Sequence, residues 1–196
     1  AVEPITCDLV KAIAPPSIPF VCLIKQNQHV HDFQLSPKQV KSLNRANQII
    51  TLGREITPAI YKWLNKSRVV VVGISMIKKN EEHHQNEEHH HEHLHQGEDP
   101  HIWHDPHNII KMANVISKNI KKSISFFDRE NRRVLSERSK SVNSLLEDFD
   151  QWTQKQVATI PSNQRTIVSK HKSMEYYGDA FGLKTISLLD VLGHSP

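Results

Sequence analysis

Between Asp128 and Pro161 the residues Val134, Leu135, Val142, Leu145, Leu146, Phe149, Trp152 and Val157 recur at three- and four-residue steps. That is the period of an α-helix with one apolar face. Asp128 suits an N-cap, and Pro161 is a stop. About thirty residues at 1.5 Å each make a rod of roughly 45 Å, longer than one small domain needs. Such an element either joins two lobes as a spine or is simply a long packing helix, and the pattern alone leaves both open.

The segments before it alternate. Residues 5–13 read as a helix stopped by Pro15 and Pro16. The apolar run 20–24 reads as a buried strand. Ser36-Pro37 opens a helix to about residue 46, as N-cap and first helical residue. Residues 48–52 read as a strand ended by Gly53. Thr57-Pro58 opens a helix carrying Ile60, Trp63 and Leu64, and Val69–Val72 reads as a buried strand ended by Gly73. Strands alternating with short helices predict a parallel α/β sheet. Ligands then bind beyond the carboxyl ends of the strands. A helix is predicted over 106–124. After the long helix come a strand at 166–169, a helix at 173–181, Gly182 and a strand at 185–189. Two strands are too few for an independent sheet, so this second α/β start either joins the first sheet or belongs to a lobe that continues past Pro196.

The 196 residues show no apolar run of membrane-helix length and no secretory signal at Ala1. The 25 basic and 21 acidic side chains leave a mild excess of +4. The basic residues are scattered along helices without aromatic interleaving, which argues against a nucleic-acid face. Cys7 and Cys22 have no metal-type spacing. They fit either a disulfide in an oxidising compartment or two small buried hydrophobes.

The fourteen histidines are the anomaly in this composition. Residues 78–98 contain His83, His84, His89, His90, His91, His93 and His95 among glutamates, with Leu94 nearly alone as an apolar residue. No core forms from such a stretch, which reads as an inserted loop, either binding soft and borderline cations loosely or solvated without a role. It ends at Asp99-Pro100-His101-Ile102-Trp103-His104-Asp105-Pro106. Its two Asp-Pro pairs disfavour helical backbone at both aspartates, so His101 is expected on stiff, extended chain, with Asp105 capping the next helix. His31, His101 and His171 each lie beyond a predicted strand, and three imidazoles from separate loops suit a zinc ion. Each needs its second ring nitrogen held by a carboxylate or carbonyl.

These residues resemble a family. His31-Asp32-Phe33-Gln34-Leu35-Ser36-Pro37, the segment 99–106, and Ser169-Lys170-His171 with Tyr176-Tyr177 and Phe181-Gly182-Leu183 look like the three ordered histidine motifs of the zinc and manganese solute-binding proteins of ABC uptake transporters (cluster A-I). The histidine-rich loop sits where zinc-type, ZnuA-like members carry theirs. The resemblance implies two α/β lobes of parallel sheet flanked by helices, joined by one long rigid helix, with a metal cleft between them. It divides the chain into an N-terminal lobe over 1–126, a linking helix over 127–160, and the truncated start of a second lobe over 161–196. It implies His31, His101 and His171 as ligands, with His29 and His104 as auxiliary candidates and the loop histidines as low-affinity ones. Manganese-type members usually place a glutamate at the third position. Histidine there favours Zn²⁺, since imidazoles are softer than a mixed carboxylate set. Val30 stands where some zinc members have a glutamate.

The implied activity is extracytoplasmic or periplasmic capture of Zn²⁺ by a monomer that delivers it to a membrane ABC permease, with no catalysis and no nucleic acid. A manganese-binding relative, or a metal buffer or adhesin centred on the loop, is the alternative. A zinc hydrolase is disfavoured, because there is no His-Glu-x-x-His and no glutamate placed as an evident base.

Overall fold

The computed structural model describes residues 1–31, 33–81 and 99–193. Asp32, residues 82–98 with the seven loop histidines, and residues 194–196 lie outside the described residues. The chain divides into two compact units, Ala1–His84 with Lys111–Asn143 and Gln85–Ile110 with Ser144–Pro196.

In the first unit α1 (Pro4–Ile13) begins at a capping box between Glu3 and Thr6 and buries Leu9, Val10 and Ile13. The helix α2 (Pro37–Arg45) starts where Ser36 and Gln39 exchange side-chain and backbone hydrogen bonds. There follow β1 (Ile49–Thr51), α3 (Pro58–Tyr61), β2 (Val69–Val71) and α4 (Ile74–Glu81). β1 and β2 are parallel, with Ile49 opposite Val69 and Thr51 opposite Val71. Just past β2, Gly73 lies so close to the Leu52 backbone that a Cβ would land on the Leu52 carbonyl oxygen. Val2, Leu23, Ile24, Phe33, Leu43, Ile49, Ile60 and Leu64 form one core cluster. Each such side chain contributes about 1.5–3 kcal/mol by leaving water.

Glu3 sits beneath this layer at 1 % exposure. Its carboxylate accepts hydrogen bonds from the hydroxyls of Thr6, Thr51 and Thr57 and from the Leu52 N–H. Burial pushes its pKa above the ordinary carboxyl value, against the pull of those donors. One acid thus joins the start of α1 to the end of β1 and the start of α3.

The helices α5 (Pro106–Ser123) and α6 (Arg129–Ala158) contribute residues to both units. The thirty residues of α6 match the length expected from periodicity. Asp128 accepts from the Asn131 N–H, as an N-cap should. In the second unit β3 (Thr166–Ser169), α7 (Glu175–Phe181), β4 (Lys184–Ser187) and α8 (Leu188–Val191) follow. β3 and β4 are parallel, from Thr166 opposite Lys184 to Ser169 opposite Ser187. α7 stops at Gly182, whose φ of 67° is the left-handed conformation glycine accepts readily. Among the described residues, no helix is long and apolar enough to cross a membrane.

The architecture is α/β with parallel pairing and one long helix, as expected, but several elements differ. Residues 20–24 are not a strand. The N–H groups of Leu23 and Ile24 donate to the Ala1 and Val2 carbonyls and the Val21 carbonyl accepts from the amino terminus, while Phe20, Val21 and Cys22 are exposed. These three hydrogen bonds do not make a regular ladder. A disulfide between Cys7 and Cys22, with Cα atoms 5.6 Å apart, fastens this segment to α1. The helix expected to carry Trp63 ends at Tyr61, and Trp63 is 51 % exposed. The last strand ends at Ser187, whose side chain accepts from the Asp190 N–H and starts α8 instead. β3 and β4 pair with each other rather than extending the first sheet.

Candidate metal centre

The second unit brings two of the expected histidines together. His171 follows β3 directly. Its carbonyl accepts from the hydroxyls of Ser169 (2.8 Å) and Ser173 (3.2 Å), which shape the loop between β3 and α7. His101 arrives from a different segment, and the two ring centroids are 5.4 Å apart with planes tilted by 57°. His101 is 8 % exposed and His171 is exposed.

The partner that sequence reasoning missed is Asp99. Its Oδ1 lies 2.6 Å from His101 Nδ1 and also accepts the His101 backbone N–H at 2.9 Å. Its Oδ2 accepts the N–H of Glu175, the first residue of α7, at 3.1 Å. Burial raises the Asp99 pKa, but the hydrogen bonds from His101 and the neighbouring imidazole outweigh it and hold the carboxyl below its usual range. An ionised carboxylate on Nδ1 fixes that nitrogen as the donor and leaves Nε2 as the basic atom. The readable signal was a carboxylate two residues before a histidine. In the sequence the Asp-Pro pair reads only as a backbone constraint.

The backbone here also departs from expectation. His101 has φ −85° and ψ 51° and begins a short 3-10 turn over Ile102–His104, so it is not extended. Asp105 is extended and caps α5 as expected, its Oδ1 accepting the His107 N–H at 2.8 Å. The Trp103 and His101 rings meet edge-on, with centroids 5.1 Å apart. The His104 ring lies 6.3 Å from that of His101. Burial and the charge of His101 lower the His104 pKa against the pull of Asp99, keeping its imidazole neutral to lower pH than usual.

His31 belongs to the first unit, where it lies exposed in a turn ahead of α2, and His29 is exposed beside it. Among the described residues, no group of three or more His, Cys, Asp or Glu side chains is gathered closely enough to hold a metal ion. What the second unit displays is a braced imidazole beside a second one.

Comparison with known proteins defines the class. The family model described as "ZnuA: Zinc-uptake complex component A periplasmic" matches residues 1–195. The curated relatives include the iron ABC transporter substrate-binding lipoprotein MtsA of Streptococcus pyogenes and the manganese ABC transporter substrate-binding lipoprotein PsaA of Streptococcus mitis. Each is 23 % identical over 193 residues, 97 % of this chain and 61 % of the relative. Among solved structures, the periplasmic zinc-binding protein TroA from Treponema pallidum superposes with a TM-score of 0.77 at 20 % identity, over 95 % of this chain and 64 % of its own. A zinc-bound ZnuA deletion mutant gives a TM-score of 0.72 at 18 % identity, over 95 % and 68 %. The chain thus spans about 61 % of the length of these curated relatives.

The class is that of the ABC transporter substrate-binding proteins among which these relatives are named. Within it, this chain belongs to the ZnuA family.

Proposed function

We propose that this protein captures Zn²⁺ outside the cytoplasm and hands it to a membrane ABC permease, acting as a monomer without catalysis. The observation that carries the reading is the proximity of His101 and His171 with Asp99 bracing the first. Two imidazoles, one oriented by an ionised carboxylate, form a donor set of the kind zinc accepts. His31 is proposed as the third ligand. In this reading residues 1–126 form one lobe, 127–160 the link and 161–196 the start of the other. His29 and His104 are auxiliary candidates. The loop histidines raise the local zinc supply with weaker binding. The disulfide accords with an oxidising, extracytoplasmic setting.

The names of the relatives support a second reading. They include manganese and iron transport proteins, so the cargo could be one of those ions. A third histidine in place of a carboxylate favours zinc over manganese.

Calorimetric titration of the full-length protein with Zn²⁺ tests the assignment. One tight site is expected, abolished by His101→Ala, with weaker sites removed by deleting residues 81–95. A tight site that survives His101→Ala overturns the ligand assignment. Loss of nearly all binding on loop deletion would favour a buffer or adhesin. Competition by Mn²⁺ or Fe²⁺ at equal concentration would reassign the cargo.

A further inference from the structure

The turn between α5 and α6 presents two adjacent aromatic rings to solvent. Phe126 is 78 % and Phe127 is 89 % exposed. They meet edge-to-face at 5.7 Å. Exposed neighbouring phenylalanines carry a hydration cost, and such patches mark contact sites.

The turn holds them there. Arg132 donates from Nη2 to the Ile124 carbonyl and from Nε to the Ser125 carbonyl, both at 2.9 Å, and its guanidinium lies 5.6 Å from the Phe126 ring centre. The Asp128 N–H donates to Ser125 at 3.1 Å, and Asp128 caps α6. The backbone is therefore pinned on both sides of the rings, which keeps them projecting.

The surroundings are cationic. From Lys118 to Arg133 there are six basic and two acidic residues, a formal excess as large as the +4 of the whole chain. Arg133 is spent on Glu130 and Glu137. Lys118, Lys121, Lys122 and Arg129 are exposed around the tip.

From this we infer that the α5–α6 tip docks on a membrane surface bearing anionic phospholipid. A turn of a few residues is too small for a protein interface, which needs about 800 Å² per partner. It suits insertion of two rings at the level of lipid headgroups, with lysines and arginine meeting the phosphates. Docking by this tip would hold a carrier near the bilayer independently of its metal.

Co-sedimentation of the full-length protein with vesicles tests this, using phosphatidylcholine alone and phosphatidylcholine mixed equally with phosphatidylglycerol. Binding is expected only to the mixed vesicles. It should weaken roughly tenfold or more in Phe126→Ser/Phe127→Ser and in Lys121→Glu/Lys122→Glu, and fall with added salt. Thermal melts of both variants should match the parent, since all four side chains face water. If the phenylalanine variant fails to fold, the lysine variant carries the test. Absence of binding to mixed vesicles, or binding unchanged in a folded variant, overturns the inference. So does a dimer in light scattering that Phe126→Ser/Phe127→Ser dissociates, which would assign the tip to a second copy. Binding is measured with and without Zn²⁺, so failure of the metal assignment would show in the titration and not here.

Discussion

Asp99 holds His101 from two directions, accepting both the ring Nδ1–H and the backbone N–H on one oxygen. The imidazole is thereby fixed in orientation and tautomer before any ion arrives. Removing the brace while keeping the histidine should therefore weaken metal capture without abolishing it. Asp99→Asn is expected to lower Zn²⁺ affinity about 10–100-fold, against near-complete loss in His101→Ala. Calorimetric titration of both variants checks the order.

The disulfide between Cys7 and Cys22 closes a loop with a sequence separation of 15. A crosslink of that span removes about 3 kcal/mol of freedom from the unfolded chain. Cys7→Ser/Cys22→Ser should lose a comparable amount in urea unfolding. Reductant should lower the melting temperature of the parent and leave the variant unchanged.

Glu3 makes stability depend on pH in an unusual direction. Burial raises its native pKa above the ordinary 4.5. The native state then retains a proton that the unfolded chain has released. Stability from this group is full below about 4.5 and is lost as pH rises through the native pKa. Glu3→Gln should remove that part of the slope in denaturant titrations taken across mildly acidic to neutral pH.

At Gly73 a methyl group would collide with the Leu52 carbonyl, and its carbon would lie 2.6 Å from the added Cβ. Gly73→Ala is expected to cost about 1–3 kcal/mol through forced backbone shifts. The shift in the urea midpoint, at unchanged slope, measures it.

Much of this fold was readable because its signals are local. Ser36-Pro37, the Val69–Val72 run, Gly182 and the long period of α6 each state their own conformation. Residues 20–24 have the composition of a strand, but a strand also needs a neighbour, and a neighbour is not written in its own residues. Cys7 and Cys22 likewise left bonded and free states equally open. At the site, the histidines are conspicuous by type, but their places after strands leave open which of them meet. Asp99 does not stand out in the sequence, because Pro100 offers a sufficient reason for an aspartate there. The N–H of Glu175 could not be foreseen, since a backbone donor has no letter in the sequence.

The clamp on Asp99 also bears on how this protein can vary. Asp99 follows the histidine-rich stretch in sequence, is 3 % exposed, and is fastened to His101 and to the first residue of α7. A fixed post at that junction insulates what comes after from what comes before. Repeats can be gained or lost upstream, and acidic and imidazole side chains reshuffled, while the imidazole two positions downstream keeps its aim. The insert can thereby vary in sequence without disturbing the placement of His101.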